Sequence, residues 1–337
     1  MKLAFAINEL ATERKDYTTT HLAMHALRRG HEVWYVEIGH FGLGPDNALR
    51  ARALCVPVEA SESRMAVMSA LRDADLQHLD LQSLDTLFLR NDPAADALSR
   101  PWAQLAGVNF GRLAKQAGVL VVNNPDGLYH AINKLYLQLF PKEIRPRTLI
   151  SRHFETVSDF LEEVGGKAVV KPLRGSGGHN VFLIRSDDRF NLKQIFDVVC
   201  REGYLTAQEY LPESSQGDTR VFMLEGEIID VDGQVAAVRR VPSQGDLRSN
   251  LTAGGHAEKA EITDRIREIA RLARPQLQAD GMFFVGLDII GDRMVEVNVF
   301  SPGALISAER VMGVDFGPKI IEALEGRLAQ YRWSLSS

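Results

Sequence analysis

Val169-Val170-Lys171-Pro172-Leu173-Arg174-Gly175-Ser176-Gly177-Gly178 is an apolar run that ends in a lysine and opens into a turn with three glycines. Glycine has no Cβ, so such a loop can bring backbone N–H groups onto a polyanion, and Lys171 adds a point charge beside them. Neither of the two common phosphate-loop patterns is present: no Gly-Lys-Ser/Thr follows, and the glycines do not lead into a helix with an acid downstream. Val181-Phe182-Leu183-Ile184 comes next, so the stretch reads as a hairpin, either a flap over a nucleotide or a plain surface turn.

A second stretch carries oxygen ligands. Phe283 to Ile290 meets Val295 to Val299 across the Gly291-Asp292-Arg293 turn, and Glu296 and Asn298, two residues apart, point to one face. Carboxylates in an apolar strand pair are costly to bury without a cation or partner. Asp288, Glu296 and Asn298 therefore read as hard ligands for Mg²⁺ held against nucleotide phosphates, in preference to an exposed hairpin face. Arg90, in Arg90-Asn91-Asp92-Pro93, sits at a strand end, where open α/β sheets place ligand contacts; it reads equally as a bidentate partner for a substrate carboxylate and as a solvated arginine. Pro242 to Gly255 has no periodicity and carries Arg248 and Asn250, and a loop of that length suits an active-site cover.

The elements that must position these residues follow in order. Leu3–Ile7 reads as a buried strand, Tyr17–Arg29 as a helix stopped by Gly30, and Val33–Val36 as the next strand, which makes a βαβ unit with parallel pairing. A strand at Asp85–Leu89, a helix at Leu105–Ala117 and a strand at Val119–Val122 complete a small α/β domain, and the turn cluster Asn123–Gly127 marks its boundary. Leu128–Phe140 reads as a helix bearing Lys134, by itself a solvated charge. Phe154–Glu163 is a helix, Leu205–Leu211 and Asp218–Met223 are strands, and Val235–Val241 is a strand holding Arg239 and Arg240. Thr263–Gln278 is a helix interrupted by Pro275, and the last helix runs from Gly317 to Tyr331.

With 337 residues, 45% hydrophobic and 25% charged, the chain has room for two or three packed units. A net charge of −5 argues against a nucleic-acid protein, so any anion site must be built locally. Cys55 and Cys200 lie far apart without a ligand cluster, which predicts buried thiols and neither disulfide nor zinc. The N-terminal apolar run is too short for a signal peptide, and no segment approaches the ~20 apolar residues of a membrane span, so the expectation is a cytoplasmic protein without membrane contacts.

Taken in order, Lys134, Lys171 with its glycine loop, Gln208-Glu209-Tyr210-Leu211, Asp218 and Arg220, Arg248 with Asn250, and Asp288, Glu296 and Asn298 resemble the ATP-grasp superfamily, and within it the bacterial glutathione synthetase family. The resemblance runs from Leu3 to about Leu324 and is densest in Arg240–Gly255 and Phe284–Asn298. It implies an α/β fold: an N-terminal, Rossmann-like parallel-sheet domain (1–123), then two α+β subdomains (124–203 and 204–333) that clamp ATP. It implies that Lys134, Lys171 and Asp218 contact ATP, that Gly175, Ser176, Gly177 and Gly178 form a flap over it, and that Gln208, Glu209, Tyr210 and Leu211 line adenine and ribose. Arg220, Arg248 and Asn250 would face the transferred phosphate and acyl intermediate. Arg90, Ser301, Gly254 and Gly255 would meet the substrate, and Asp288, Glu296 and Asn298 would hold Mg²⁺, with Mn²⁺ as a substitute. The activity implied is an ATP-dependent carboxylate–amine ligase working through an acyl phosphate on dipeptide and amino-acid substrates, first γ-glutamylcysteine and glycine, in a homo-oligomer. The alternatives are a peptide ligase for another acyl donor or amine and a non-catalytic ATP-binding regulator. Arg174, where the family pattern has an acid, and Phe300–Leu305, which lacks the family's threonine-rich, arginine-containing continuation, depart from the pattern.

Overall fold

The computed structural model describes residues 1–97, 99–175, 180–201, 203–243 and 254–336. The apolar run after Lys2 forms β1 (Lys2–Ile7), the centre of a seven-stranded sheet completed by β2 (Glu32–Glu37), β3 (Phe41–Leu43), β4 (Leu49–Val56), β5 (Gln77–Asp80), β6 (Thr86–Leu89) and β7 (Leu120–Val122), in the order β3-β4-β2-β1-β6-β7 with β5 on β4. Both faces of β1 are covered, which is why its sequence does not alternate. Leu3 and Phe5 pack with α1 (Thr18–Arg28) and α2 (Arg64–Asp73), whereas Ala4 and Ala6 pack in the core that takes in α4 (Ala106–Gln116), after the single turn α3 (Pro93–Asp96). The βαβ reading holds: β1 runs parallel to β2 from Lys2↔Glu32, and β6 and β7 continue the parallel set. The parallel set β2-β1-β6-β7 is extended at one edge by β3, β4 and β5, which are antiparallel to their neighbours. Short connections from β2 to β4 leave no length for the crossover that parallel pairing needs.

The helix expected over Leu128–Phe140 is broken into α5 (Pro125–His130) and a 3₁₀ segment, Lys134–Leu139. Tertiary contacts win here: the Asn133 side chain caps the Leu135 N–H, and the Lys134 N–H donates to the Leu173 carbonyl. A four-stranded antiparallel sheet follows, ordered β10 (Phe182–Arg185), β9 (Lys167–Pro172), β11 (Leu205–Glu209), β8 (Thr148–Ser151). It is backed by α6 (Phe154–Glu163) and by α7 (Arg189–Cys200), which the sequence reading passed over.

The third sheet is antiparallel. Its strands are β12 (Asp218–Leu224), β13 (Glu227–Ile228), β16 (Ala237–Val241), β17 (His256–Glu258), β18 (Phe284–Ile290) and β19 (Arg293–Asn298), in the order β17-β16-β12-β18-β19 with β13 on β12. β14 (Asp230–Val231) and β15 (Gln234–Val235) form a separate hairpin. Three helices follow the same part of the chain: α8 (Asp264–Ala279), α9 (Leu305–Met312) and α10 (Gly317–Ser336). Pro275 does not interrupt α8; the helix gives up a backbone bond there while Ile266, Ile269, Ala270, Ala273 and Leu277 keep one buried stripe.

Two of the three hydrophobic cores mix residues of the first and third sheets, and the third is confined to residues between Val157 and Ala207. Asn123 is not a surface turn residue. Its buried amide donates to the Phe284 and Val299 carbonyls (3.0 and 2.6 Å) and accepts from the Phe283 and Phe284 N–H groups (2.7 and 2.9 Å), which joins the end of β7 to the third sheet. Cys55 and Cys200 are free, as expected, but half-buried. No helix among the described residues is long and apolar enough to cross a membrane.

Candidate active site

A cavity of about 990 Å³ opens where the three sheets meet. Arg90, Lys134, Lys171, Gly175, Gln208, Glu209, Leu211, Asp218, Arg220, Asp288, Glu296, Asn298 and Ser301 all line it. Tyr210, Gly254 and Gly255 do not. Gly254 lies outside on the approach to β17, its carbonyl accepting from the Ser243 hydroxyl at 2.7 Å. Ser176, Gly177, Gly178, Arg248 and Asn250 fall outside the described residues.

One end of the cavity is an apolar slot between the second and third sheets, formed by Pro146, Val169, Leu211, Ile290 and Val295, and Gln208 and Glu209 of β11 line the same cavity. The β18/β19 register slips between Asp288 and Ile289, a bulge that leaves Val295 unpaired. That irregularity lets Val295 line the same cavity as Glu296 and Asn298, which strict alternation forbids. Glu209 is already engaged, accepting from the Arg147 N–H at 2.8 Å.

Next to the slot, Lys171 on β9 faces the third sheet. Burial lowers its ammonium to about 8, against the upward pull of Glu296; Lys134 lowers it further and Asp288 raises it. Lys134 Nζ donates to the Gly175 carbonyl at 2.6 Å, which ties the 3₁₀ segment to the start of the glycine loop.

Behind these groups lies a buried network that the sequence reading only half identified. Asp288 takes a bidentate pair from Arg220 (2.7 and 2.7 Å), a third charged contact from Arg240 Nη2 (2.8 Å) and the Asn298 amide (3.2 Å). Arg240 also donates to Asp218 at 2.7 Å, and Arg220 to the Gly303 carbonyl at 3.2 Å. Burial pushes the Asp288 carboxyl up, but Arg220 and Arg240 outweigh it and hold it well below the usual range. Burial likewise lowers Arg240, and Asp288 with Asp218 overcomes that and holds it above the ordinary value. Two carboxylates and two guanidinium groups make a neutral unit, so each buried charge has its partner. Asp288 thus has its cations built into the protein, and Asp218 serves as an anchor for Arg240. The sequence carried a signal for Arg240: Arg239 and Arg240 are adjacent on a strand, so one of them must face inward. Gly217 lets the pair form; at φ +96° its Cβ would lie 2.1 Å from the Arg240 carbonyl oxygen.

The far end of the cavity is built by the C-terminal ends of β1 and β6. Arg90 is 3% exposed, lies within 5.6 Å of the Phe88 and Phe284 ring centres, and donates to Thr19 Oγ1 (3.3 Å) and the Pro302 carbonyl (3.2 Å). Its Nη1 has no hydrogen-bond partner. Burial lowers the guanidinium to about 10, against Glu13 and Tyr35. Glu13, which no motif marks, is pushed up to about 7 by burial, against the Thr20 hydroxyl and Arg90.

The sequence model for the prokaryotic glutathione synthetase N-terminal domain matches residues 1–129, and that for the same family's ATP-grasp domain matches residues 133–313. This chain belongs to the prokaryotic glutathione synthetase family. It is 34% identical to the glutathione synthetase of Synechococcus elongatus over 98% of this chain and 100% of that one, and 31% identical to that of Vibrio cholerae over 97% and 98%. Among solved structures it resembles the D-cycloserine synthetase DcsG (TM-score 0.67, 14% identity, 97% of this chain and 100% of that one) and the ATP-grasp ligase PsnB (0.61, 19%, 97% and 98%). These likenesses establish the ATP-grasp fold. With the glutathione synthetase family come ATP use and dependence on a divalent metal. The donors on β18 and β19 fit such an ion: Glu296 and Asn298 share the cavity face, and the Asn298 Nδ2 is turned to Asp288, so its oxygen is the atom left for a cation.

Proposed function

We propose that the chain joins the carboxylate of γ-glutamylcysteine to the amine of glycine at the expense of ATP, giving glutathione, ADP and phosphate. The observation that carries this reading is the cavity itself, which places an apolar slot, two lysines and oxygen ligands at one end and a buried arginine with a free N–H edge at the other. The base of ATP lies in the slot of Pro146, Val169, Leu211, Ile290 and Val295, and Lys171 and Lys134 meet its phosphates. The acyl donor's carboxylate oxygen attacks the γ-phosphorus, ADP leaves, and the amine then attacks the carbonyl carbon of the acyl phosphate and expels phosphate. Mg²⁺ would be held by Glu296 and Asn298 and would supply charge neutralisation on the phosphates, while Asp288 stays committed to Arg220 and Arg240. Arg220 and Arg240, preset on Asp288, keep a positive edge beside the transferred group without reorganisation. Arg90 takes a substrate carboxylate through Nη1, with Ser301 beside it. In the three-part division at 1–123, 124–203 and 204–333 the second boundary moves past β11, which pairs with β8 and β9; the first part then supplies Arg90 to the acyl donor, and the other two meet ATP. A cytoplasmic homo-oligomer acting on small molecules, without nucleic-acid or membrane partners, completes the proposal.

A second reading rests on Gly303 and Ala304. Both line the cavity without a bulky side chain, and Ala304 is held at φ +73° at the start of α9, so this wall admits an amine or acyl donor of another shape. Coupled ADP release with MgATP, γ-glutamylcysteine and glycine, each omitted in turn, tests both readings. Release that needs all three supports glutathione synthesis; release only with a different pair supports the second. Glu296→Gln should lower turnover at least about 100-fold while ATP still binds; unchanged turnover would remove the metal assignment.

A further inference from the structure

Outside the cavity, α1 presents two histidines on one face, His21 and His25, spaced one turn apart. Both are buried, at 5% and 4% exposure, with their rings edge to face at 4.5 Å. The turn between α9 and α10 brings Asp315 against them, Oδ1 lying 3.3 Å from His21 Nε2 and Oδ2 3.2 Å from His25 Nε2. Glu309 on α9 adds an oxygen 2.9 Å from His21 Nε2. One ligand atom from each of His21, His25 and Asp315 falls within a 4.8 Å span.

From these contacts we propose that His21, His25 and Asp315, with Glu309 or a water in the fourth position, form a binding site for a borderline transition-metal dication of the Zn²⁺ class. Donors about 2.0–2.2 Å from a tetrahedral zinc lie about 3.3 Å from one another, the separation found here between imidazole nitrogen and carboxylate oxygen. Two neutral imidazoles and two carboxylates carry a charge of −2, which a dication balances, and imidazole selects Zn²⁺, Co²⁺ or Ni²⁺ over Mg²⁺. His25 Nε2 is buried, points into the cluster and makes no hydrogen bond of its own. Gly317 fixes the packing, since a Cβ there would lie 2.3 Å from His25 Cδ2 and 2.8 Å from each Nε2. Asp315 is half-exposed and gives the ion a route from solvent. The ion would fasten α1 to the α9–α10 turn, two elements whose other ends, Thr18 and Thr19 on α1 and Ser307 on α9, line the cavity.

The test is a Zn²⁺ titration of the full chain against a chromophoric chelator, with Mg²⁺ and ADP saturating so that the nucleotide site is filled. One equivalent should bind, and His25→Gln and Asp315→Asn should each weaken binding at least about 10-fold while leaving Mg²⁺-supported ADP release in zinc-free buffer unchanged. Co²⁺ in place of Zn²⁺ should give the strong visible bands of a four-coordinate ion, lost in both variants. Zn²⁺ should also raise the melting temperature of the parent chain and not that of Asp315→Asn, whose exposed position makes a folding failure easy to separate. No stoichiometric binding, or binding that survives both substitutions, would leave the cluster as an ion pair and overturn the proposal.

Discussion

The lobe built on the second sheet and the body built on the first and third sheets are buried in opposite ways. The lobe has a core of its own, drawn from one continuous stretch between Val157 and Ala207. The body has two cores, each shared between strands from opposite ends of the chain and joined across the sheets by the four bonds of Asn123. The cavity takes Val169, Lys171, Gln208 and Glu209 from the lobe and Arg90, Arg220, Asp288 and Glu296 from the body. The proposed ATP contacts therefore straddle a part with a core of its own and the body, whereas the proposed acyl end and the arginine–carboxylate network belong to the body alone. A self-contained core permits the lobe to move against the body as a unit.

Asn123→Ala tests the body first. It leaves four buried backbone groups without partners, and at about 1 kcal/mol or more each the loss is about 4 kcal/mol, read as an earlier urea midpoint for the whole chain. Leu161→Ala, at a position 1% exposed in the lobe, should cost about 3 kcal/mol. Here hydrogen exchange should quicken in residues 148–209 while the body keeps its protection; equal acceleration everywhere would show that the two parts do not act separately.

Two ionisations sharpen the contrast. Glu13 in the body is raised from about 4.5 to about 7 by burial, so between those values the folded chain holds a proton that the unfolded chain has released. Its stabilising effect is fully present below about 4.5 and is lost as pH rises through about 7, a difference of about 3 kcal/mol that Glu13→Gln should remove from the stability–pH curve. Lys171 in the lobe, lowered to about 8, should affect ligand binding instead. Phosphates favour the ammonium, so ATP affinity should fall by up to about tenfold per pH unit above 8, with proton uptake on binding seen as a buffer-dependent heat. A flat affinity up to pH 10 would place Lys171 away from the phosphates.

Strand and helix existence was legible wherever a residue's neighbours in sequence decide its environment. β1, α6 and the β18/β19 hairpin follow from apolar runs and turn residues alone. The residues proposed to meet ATP stood out in the sequence too, because lysine, glycine and paired acids are conspicuous against apolar strands. Asn123 and Glu13 were not, since each derives its role from a partner far away in the chain, Phe284 and Arg90; Arg240 was marked only as one of two strand arginines, with its partner Asp288 hidden. Asp288 shows the limit most clearly. Its burial correctly signalled a need for positive charge, but only the register of β12 against β16 and β18 shows that arginines supply it. The break after α5 was hidden for a related reason, because the Lys134 backbone is bound to a residue on the other side of the glycine loop.

α10 lies against α1, with Arg29 and His31 paired to Glu325, although nearly the whole sequence separates them. On a ribosome adding about 5–20 residues per second, α1 emerges early and then waits tens of seconds for the surface that covers Leu22, Met24 and Leu27. During that interval the nascent chain exposes an apolar stripe that it cannot yet shield, a consequence of the same long-range packing that draws both ends of the chain into one core.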